Sequence, residues 1–267
     1  MTLPIIQVDA FTERPYAGNS AAVCMLPAER DASWMQLVAR EMNLSETAFL
    51  VRLQDHFDLR WFTPSVEVDL CGHATLASAH VLWEEKYLDA SEPARFQTKS
   101  GLLTARRDEG QIWLDFPALP EAPAETPDAL ARGLGVPARY VGRNAFDYLV
   151  ELESEDAVRN LQPRMAVLAG AGGRGVIVTS RAHSPKYDFV SRFFAPASGI
   201  DEDPVTGSAH CCLGPYWASR LSRSELVGYQ ASARGGFVRV RCRGDRVDLG
   251  GHAVTVLRGN LEGVACT

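Results

Sequence analysis

Between Gly72 and about Glu85 the chain carries a helix-length stretch with no polar face. Ala74, Leu76, Ala77, Ala79, Val81, Leu82 and Trp83 fall on nearly every side of it, so a helix here has to be surrounded rather than laid on a surface. Burying a whole helix leaves its first backbone N–H groups without intrahelical partners, and the helix dipole concentrates partial positive charge there. Such a start, behind the glycine turn at Gly72, suits an anion. His73 stands at that start, within Asp69-Leu-Cys-Gly-His-Ala-Thr75. The second half of the chain repeats the device in Asp203-Pro-Val-Thr-Gly-Ser-Ala-His210. A fold for this sequence must wrap two helices.

The two halves of the 267 residues also match in order and spacing. Ala10-Phe11 corresponds to Ala145-Phe146, Gly72-His-Ala to Gly207-Ser-Ala and Gly101-Leu-Leu to Gly236-Phe-Val, each 135 residues apart. Arg60-Trp-Phe-Thr-Pro64 corresponds to Arg192-Phe-Phe-Ala-Pro196 at 132, so three residues are inserted before the second glycine turn. Two homologous domains of one topology follow. Each half reads as short strands plus two helices, the second of them apolar all round. The expected class is α+β: two half-barrels, each a rolled, mostly antiparallel sheet around a central buried helix. The expected boundaries are 1–117 for the N-terminal half-barrel, 118–127 for a linker crowded by prolines, 128–251 for the C-terminal half-barrel, and 252–267 for a tail that returns to the first domain. Two helix starts related by approximate two-fold symmetry would face one interdomain cleft, a favoured place for a small ligand. The ligand end held there should be anionic.

Local patterns fill in the rest. Ile5 to Phe11 and Ser20 to Leu26 read as strands. Ser33 opens a helix, with Gln36 as its capping-box partner and Trp34, Leu37 and Val38 as its apolar stripe, ending near Met42. The polar loop Asn43-Leu-Ser-Glu-Thr47 precedes strands at Ala48 to Leu53 and Phe57 to Phe62, and residues 95–116 read as two strands around Asp108-Glu-Gly110. Pro215, inside the second central helix, should kink or restart it. The net charge of -6 argues against a nucleic-acid binder. No window reaches the roughly 18 apolar residues of a membrane span, and MTLPIIQVDAF lacks the basic and apolar regions of a signal peptide. Six cysteines without a CxxC spacing suit reduced thiols and a cytoplasmic location.

Chemistry-bearing residues gather in Asn43-Leu-Ser-Glu-Thr47, Cys71-Gly-His-Ala-Thr75 and Asp203-Pro-Val-Thr-Gly-Ser-Ala-His210. Together with VDAFT, GNSAAV, RWFTPSVEVDLCGHAT, RGVIVTS and DPVTGSAH, they make the whole chain resemble the phenazine-biosynthesis (PhzF-like) isomerases of the diaminopimelate-epimerase-like superfamily. The resemblance implies the two-domain fold, proton transfer without a cofactor or metal on a small anionic carboxylate substrate, and a homodimer. It makes Glu46 the acid/base that moves a proton between substrate carbons. Desolvation at the edge of a closed cleft suits a carboxylate to take and return one proton. It makes His73 the group that orients the substrate and assists proton movement, and it matches Asp203 (catalytic) and Ser208 (substrate-binding) to second-half site residues. The helix start should keep His73 neutral. Backbone N–H groups of Gly72, His73, Gly207 and Ser208 would grip a carboxylate, and Asn19 is a further lining candidate. Without the resemblance, Glu46 reads as a loop cap, His73 as a structural hydrogen-bonder, and Asp203 and Ser208 as helix caps.

Other arrangements fail their context. Gly170-Ala-Gly-Gly-Arg-Gly175 fits GxGxxG but precedes the strand Val176 to Thr179 instead of following one. Ser208, His73 and Asp203 have the residue types of a hydrolase triad without a GxSxG elbow. His210-Cys211-Cys212 are consecutive on a helix and diverge by about 100° each, so buried thiols fit better than a metal site. One rival shares the scaffold: superfamily racemases use a cysteine beside each glycine turn. Here Cys71 takes the first place and Thr206 the second, a pair that resembles the hydroxyproline dehydratases and leaves a Cys71-dependent dehydratase or epimerase open. A non-catalytic small-ligand binding protein is the third reading.

Overall fold

The computed structural model describes residues 2–262. It divides into two units, one formed by the described residues up to Asp115 together with those from Gly250 onward, the other by Phe116–Leu249. Cys266 and the end of the tail lie outside the described residues. Among those described, no helix is long and apolar enough to cross a membrane.

In the first unit Leu3–Ala10 runs antiparallel to Asn19–Leu26. The Ala32–Met42 helix carries the chain to Glu46–Arg52, parallel to Asn19–Leu26. Phe57–Phe62 returns antiparallel, the Gly72–Glu84 helix crosses over to Ala94–Thr98 in parallel, and Gly101–Asp108 follows antiparallel. The second unit repeats this succession. Tyr140–Arg143 pairs antiparallel with Asp147–Glu151, which lies parallel to Gly175–Arg181. Phe189–Ala195 returns antiparallel, the Gly207–Leu221 helix crosses to Glu225–Gln230 in parallel, and Gly236–Arg243 follows antiparallel. The sequence repeat is thus a repeat of strand pairings. Within each unit the pairing is mostly antiparallel, with two parallel steps where a helix crosses, because a parallel step needs a crossover long enough to hold one. Ala253–Leu261 lies antiparallel to Leu3–Ala10, and Ala122–Pro123 holds the matching place beside Gly142 and Arg143.

Every residue from His73 to Trp83 is buried. The polar members are satisfied locally, as burial requires: Thr75 Oγ1 donates to the Cys71 carbonyl at 2.5 Å and Ser78 Oγ to the Ala74 carbonyl at 2.7 Å. The arginine of each RxFxP segment explains how the repeat tolerates its insertion. Arg60 donates through Nε and Nη2 to Glu67 at 2.8 and 3.0 Å, and Arg192 makes the same fork with Glu202 at 2.7 and 2.9 Å. The glutamates are 135 residues apart while the arginines are 132 apart. The extra residues, which fall between Pro196 and Glu202, therefore bulge between the two ends of the ion pair and leave it intact.

Pro215 does not interrupt its helix, which runs through it from Gly207 to Leu221. A proline there deprives the Cys211 carbonyl of its helical donor. The Leu119 N–H takes that carbonyl at 3.0 Å, so the proline-rich segment fills the defect that Pro215 creates. Other expectations need correction. Asp31 rather than Ser33 occupies the cap of the Ala32–Met42 helix, and Gln36 is no capping partner, since its Nε2 donates to the Thr63 carbonyl at 2.8 Å. The buried face of that helix is Met35 and Ala39, four apart, packed with Phe49 and Phe62, while Leu37 is 61% exposed. Docking on aromatic side chains of the sheet set the helix rotation, which a count of apolar residues missed. Residues 94–117 form three strands, not two, because Thr98 Oγ1 organises a tight turn with the Ser100 N–H and the Gly101 carbonyl, with Gly101 at φ +91°.

His210 is fully buried. Its Nδ1–H donates to the Thr206 carbonyl at 2.8 Å, its Nε2 has no partner among the described residues, and its ring centroid lies 5.9 Å from that of Phe189. Burial pushes its pKa down from 6.5 to about 4. A histidine with a depressed folded pKa leaves stability intact above pH 6.5. It takes stability away as the pH falls from 6.5 towards 4, where only the unfolded chain binds the proton. That gap is worth about 3 kcal/mol. Urea unfolding at pH 7 and pH 4.5 should show this loss in the wild type and a flatter pH dependence in His210→Gln.

Candidate functional site

Strand alternation puts Glu46 on the same face as Ala48 and Leu50, opposite Phe49. Its strand begins at Glu46, so Glu46 belongs to the sheet and not to the preceding loop. The Gly72 turn puts His73 at the head of the first central helix. These two placements bring His73 Nε2 to 3.0 Å from Glu46 Oε2. The approach is close but bent, and neither atom makes an aligned hydrogen bond among the described residues. On the other side of the ring, Nδ1 lies 3.2 Å from Asn19 Nδ2 and 3.5 Å from Cys71 Sγ. Asn19, Cys71 and His73 are buried, and the Glu46 side chain is 13% exposed.

The electrostatics reverse one expectation. Burial opposes a charge on His73, but the Glu46 carboxylate beside it prevails and holds its pKa well above the usual 6.5. A full negative charge at 3.0 Å outweighs the partial positive charge of a helix start. When the ring is neutral, the Asn19 amide donates into Nδ1 and the ring proton faces Glu46. When it is charged, a turn of the same amide offers oxygen instead. Burial, then the Glu46 charge, push the Cys71 thiol up, which keeps it protonated. Donor atoms of Glu46, Cys71 and His73 lie within 4.8 Å of one another, a spacing a metal could use. Sulfur and carboxylate sit against opposite nitrogens of one ring, which suits a proton path through the imidazole better than a single ion. A cavity of about 260 Å³ beside the Ala32–Met42 helix is lined by Met35, Phe49 and Leu59, and none of the site residues lines it.

In the second unit Gly207 opens the helix behind Thr206, which holds the cap position without a side-chain cap bond. The Thr206 hydroxyl donates to Asp203 Oδ2 at 2.5 Å. Gln230 pins the turn: its Oε1 accepts the Thr206 N–H at 2.9 Å, and its Nε2 donates to the Asp203 carbonyl at 2.8 Å. Ser208 Oγ accepts from Arg174 Nη2 at 2.9 Å. Asn19, Glu46 and His73 thus form one group with Cys71, while Asp203 and Ser208 belong to a second group with Thr206. Gln230 was not legible, being one polar residue in an unremarkable strand. Arg174 lay inside the glycine run that fails as a dinucleotide motif; Gly175 does begin a strand, as expected.

The family described as "Phenazine biosynthesis-like protein" matches residues 8–259. An uncharacterised isomerase of Halalkalibacterium halodurans is 56% identical over 262 residues, covering 98% of this chain and 99% of that one. A PhzF-family crystal structure from Enterococcus faecalis is 41% identical, with a TM-score of 0.93 over 98% of this chain and 99% of that chain. A hydroxyproline epimerase from Agrobacterium vitis, at 10% identity and a TM-score of 0.66 over 97% of this chain and 92% of that chain, shares the fold alone. With matches of this extent, the chain belongs to the phenazine biosynthesis-like (PhzC-PhzF) family and is a PhzF-like isomerase family member.

Proposed function

We propose that the protein is a cofactor-independent isomerase that shifts a proton on a small carboxylic acid, with Glu46 taking the proton from one carbon and returning it to another. The observation that carries this reading is the Glu46–His73 pair, a half-buried carboxylate 3.0 Å from a buried imidazole with Glu46 Oε2 left unspent. Carbon acids are weak, and the charge left behind must be stabilised where it develops. Withdrawal of a proton beside a carboxyl group moves that charge onto carboxylate oxygens, which backbone N–H groups at the helix start of Gly72 and His73 are suited to hold. His73 orients the substrate and Glu46, Asn19 supports His73, and Asp203 serves in the second unit. The same reading makes the protein a cytoplasmic homodimer.

The Cys71 alternative draws on Sγ lying 3.5 Å from His73 Nδ1. A thiol pushed up by burial is a poor base, which favours Glu46. The two are separated by incubating the protein in heavy water with a panel of small cyclic and unsaturated carboxylic acids, with and without prior thiol alkylation. Deuterium should enter at carbon next to the carboxyl group in at least one acid, with and without alkylation, whereas loss on alkylation that bound substrate prevents would favour Cys71. If no acid exchanges faster with the protein than without it, the isomerase reading is wrong.

A further inference from the structure

Arg174 is placed by a chain of buried contacts that starts at Asn144. Asn144 Oδ1 accepts the N–H groups of Phe146 and Asp147, both at 2.8 Å, and fixes the start of the Asp147–Glu151 strand. Asp147 is fully buried. A buried carboxylate needs a partner, and it takes the guanidinium of Arg174 through Nε at 3.0 Å and Nη2 at 2.5 Å. The Phe146 and Phe193 rings lie 5.4 and 5.7 Å from the guanidinium carbon. The arginine is thereby aimed with little rotamer freedom, yet its side chain is 40% exposed. Nε and Nη2 are committed to Asp147 and Ser208, whereas Nη1 has no hydrogen-bond partner among the described residues.

The contact with Ser208 has a further effect. Arg174 Nη2 donates into Ser208 Oγ at 2.9 Å. One oxygen lone pair is then occupied, so the serine hydroxyl keeps its own proton for an acceptor elsewhere. Nη1 and the serine O–H, both set by a buried aspartate, form a pair of donors with no acceptor among the described residues. The geometry points to Arg174, together with Ser208, as the receptor for an anionic carboxylate group of the substrate in the second unit, an assignment that rests on the proposed carboxylic-acid substrate. The edge of the guanidinium that pairs with Asp147 is spent, so one carboxylate oxygen would take an Nη1–H and the other the Ser208 O–H, two charge-assisted or oriented donors side by side.

The test is calorimetric titration of the full-length protein with benzoate, and with benzamide as its uncharged counterpart. Wild type should bind benzoate more tightly than benzamide, and added salt should weaken the benzoate complex. Arg174→Lys keeps a charge for Asp147 but loses the fork, and should cost benzoate about tenfold in affinity while benzamide changes little. Arg174→Gln should cost more. Ser208→Ala leaves the Asp147 pair untouched and should weaken benzoate severalfold, so the test survives a misfolded arginine variant. Benzoate affinity within twofold of wild type in Arg174→Lys or Ser208→Ala overturns the assignment, as does wild type that fails to prefer benzoate. Glu46→Gln should bind benzoate like wild type. Arg174-dependent binding without heavy-water exchange would therefore sink the isomerase reading and leave this one standing.

Discussion

Glu46→Gln should remove heavy-water exchange into the substrate while leaving the fold in place. General acid–base groups contribute about 10²- to 10⁴-fold, and a residue that both takes and returns the proton sits at the top of that range. The amide keeps the size of the carboxylate and can still face His73 Nε2, so the cost in stability should be about 1 kcal/mol. The variant also tests the electrostatic account. Glu46 is the charge that holds His73 above its usual range, and without it the imidazole should titrate at lower pH, which proton NMR of the ring reads directly. Glu46→Asp keeps the charge but draws it back by one methylene, and should lose about 10²-fold through misplacement alone. Full exchange in Glu46→Gln would remove Glu46 from the chemistry, whatever the state of His73.

Gly18→Ala should be far more damaging to stability than its size suggests. Gly18 has φ +65°, and a Cβ there would stand 2.1 Å from the Ala10 carbonyl oxygen and 2.9 Å from Thr12 Cγ2. The obstructing oxygen is backbone, and Ala10 is paired with Asn19 in the first two strands. The strand end must move, or the turn must open. Left-handed backbone strain plus overpacking together amount to about 3–5 kcal/mol. Because Asn19 follows directly and contacts His73, the displacement should also reach the site. Urea unfolding measures the first effect and heavy-water exchange the second. A variant within 1 kcal/mol of wild type would show that the turn is softer than its contacts imply.

The sequence stated its architecture clearly because both devices that define it are one-dimensional. An apolar stretch without a polar face has to be wrapped, and a repeated spacing has to be a repeated topology. The glycine turns, His73 and the buried thiols of Cys211 and Cys212 are legible for the same reason. What failed depended on three-dimensional partners. The Ala32–Met42 helix turned Leu37 outward because Phe49 and Phe62 decide its docking face. His73 was expected to be neutral from its helix alone, and Glu46, from a distant strand, changes the outcome. Pro215 read as a kink or restart of its helix, and the helix runs through because Leu119 supplies the missing donor. Arg174 was hidden by a motif that fails, since its use depends on Asp147, 27 residues away.

The strand Ala253–Leu261 has a consequence for biogenesis. During translation Leu3–Ala10 emerges long before its neighbour on one side, Ala253–Leu261. The Phe116–Leu249 stretch is contiguous and can finish folding earlier, so the later-made half matures first and the earlier-made half waits. Throughout that wait Ile5, Ile6 and Val8 sit on a bare sheet edge open to pairing with another nascent chain. Loss of the chain from residue 253 onward would make that exposure permanent, turning the removal of one strand into an aggregation lesion at another far away in the sequence.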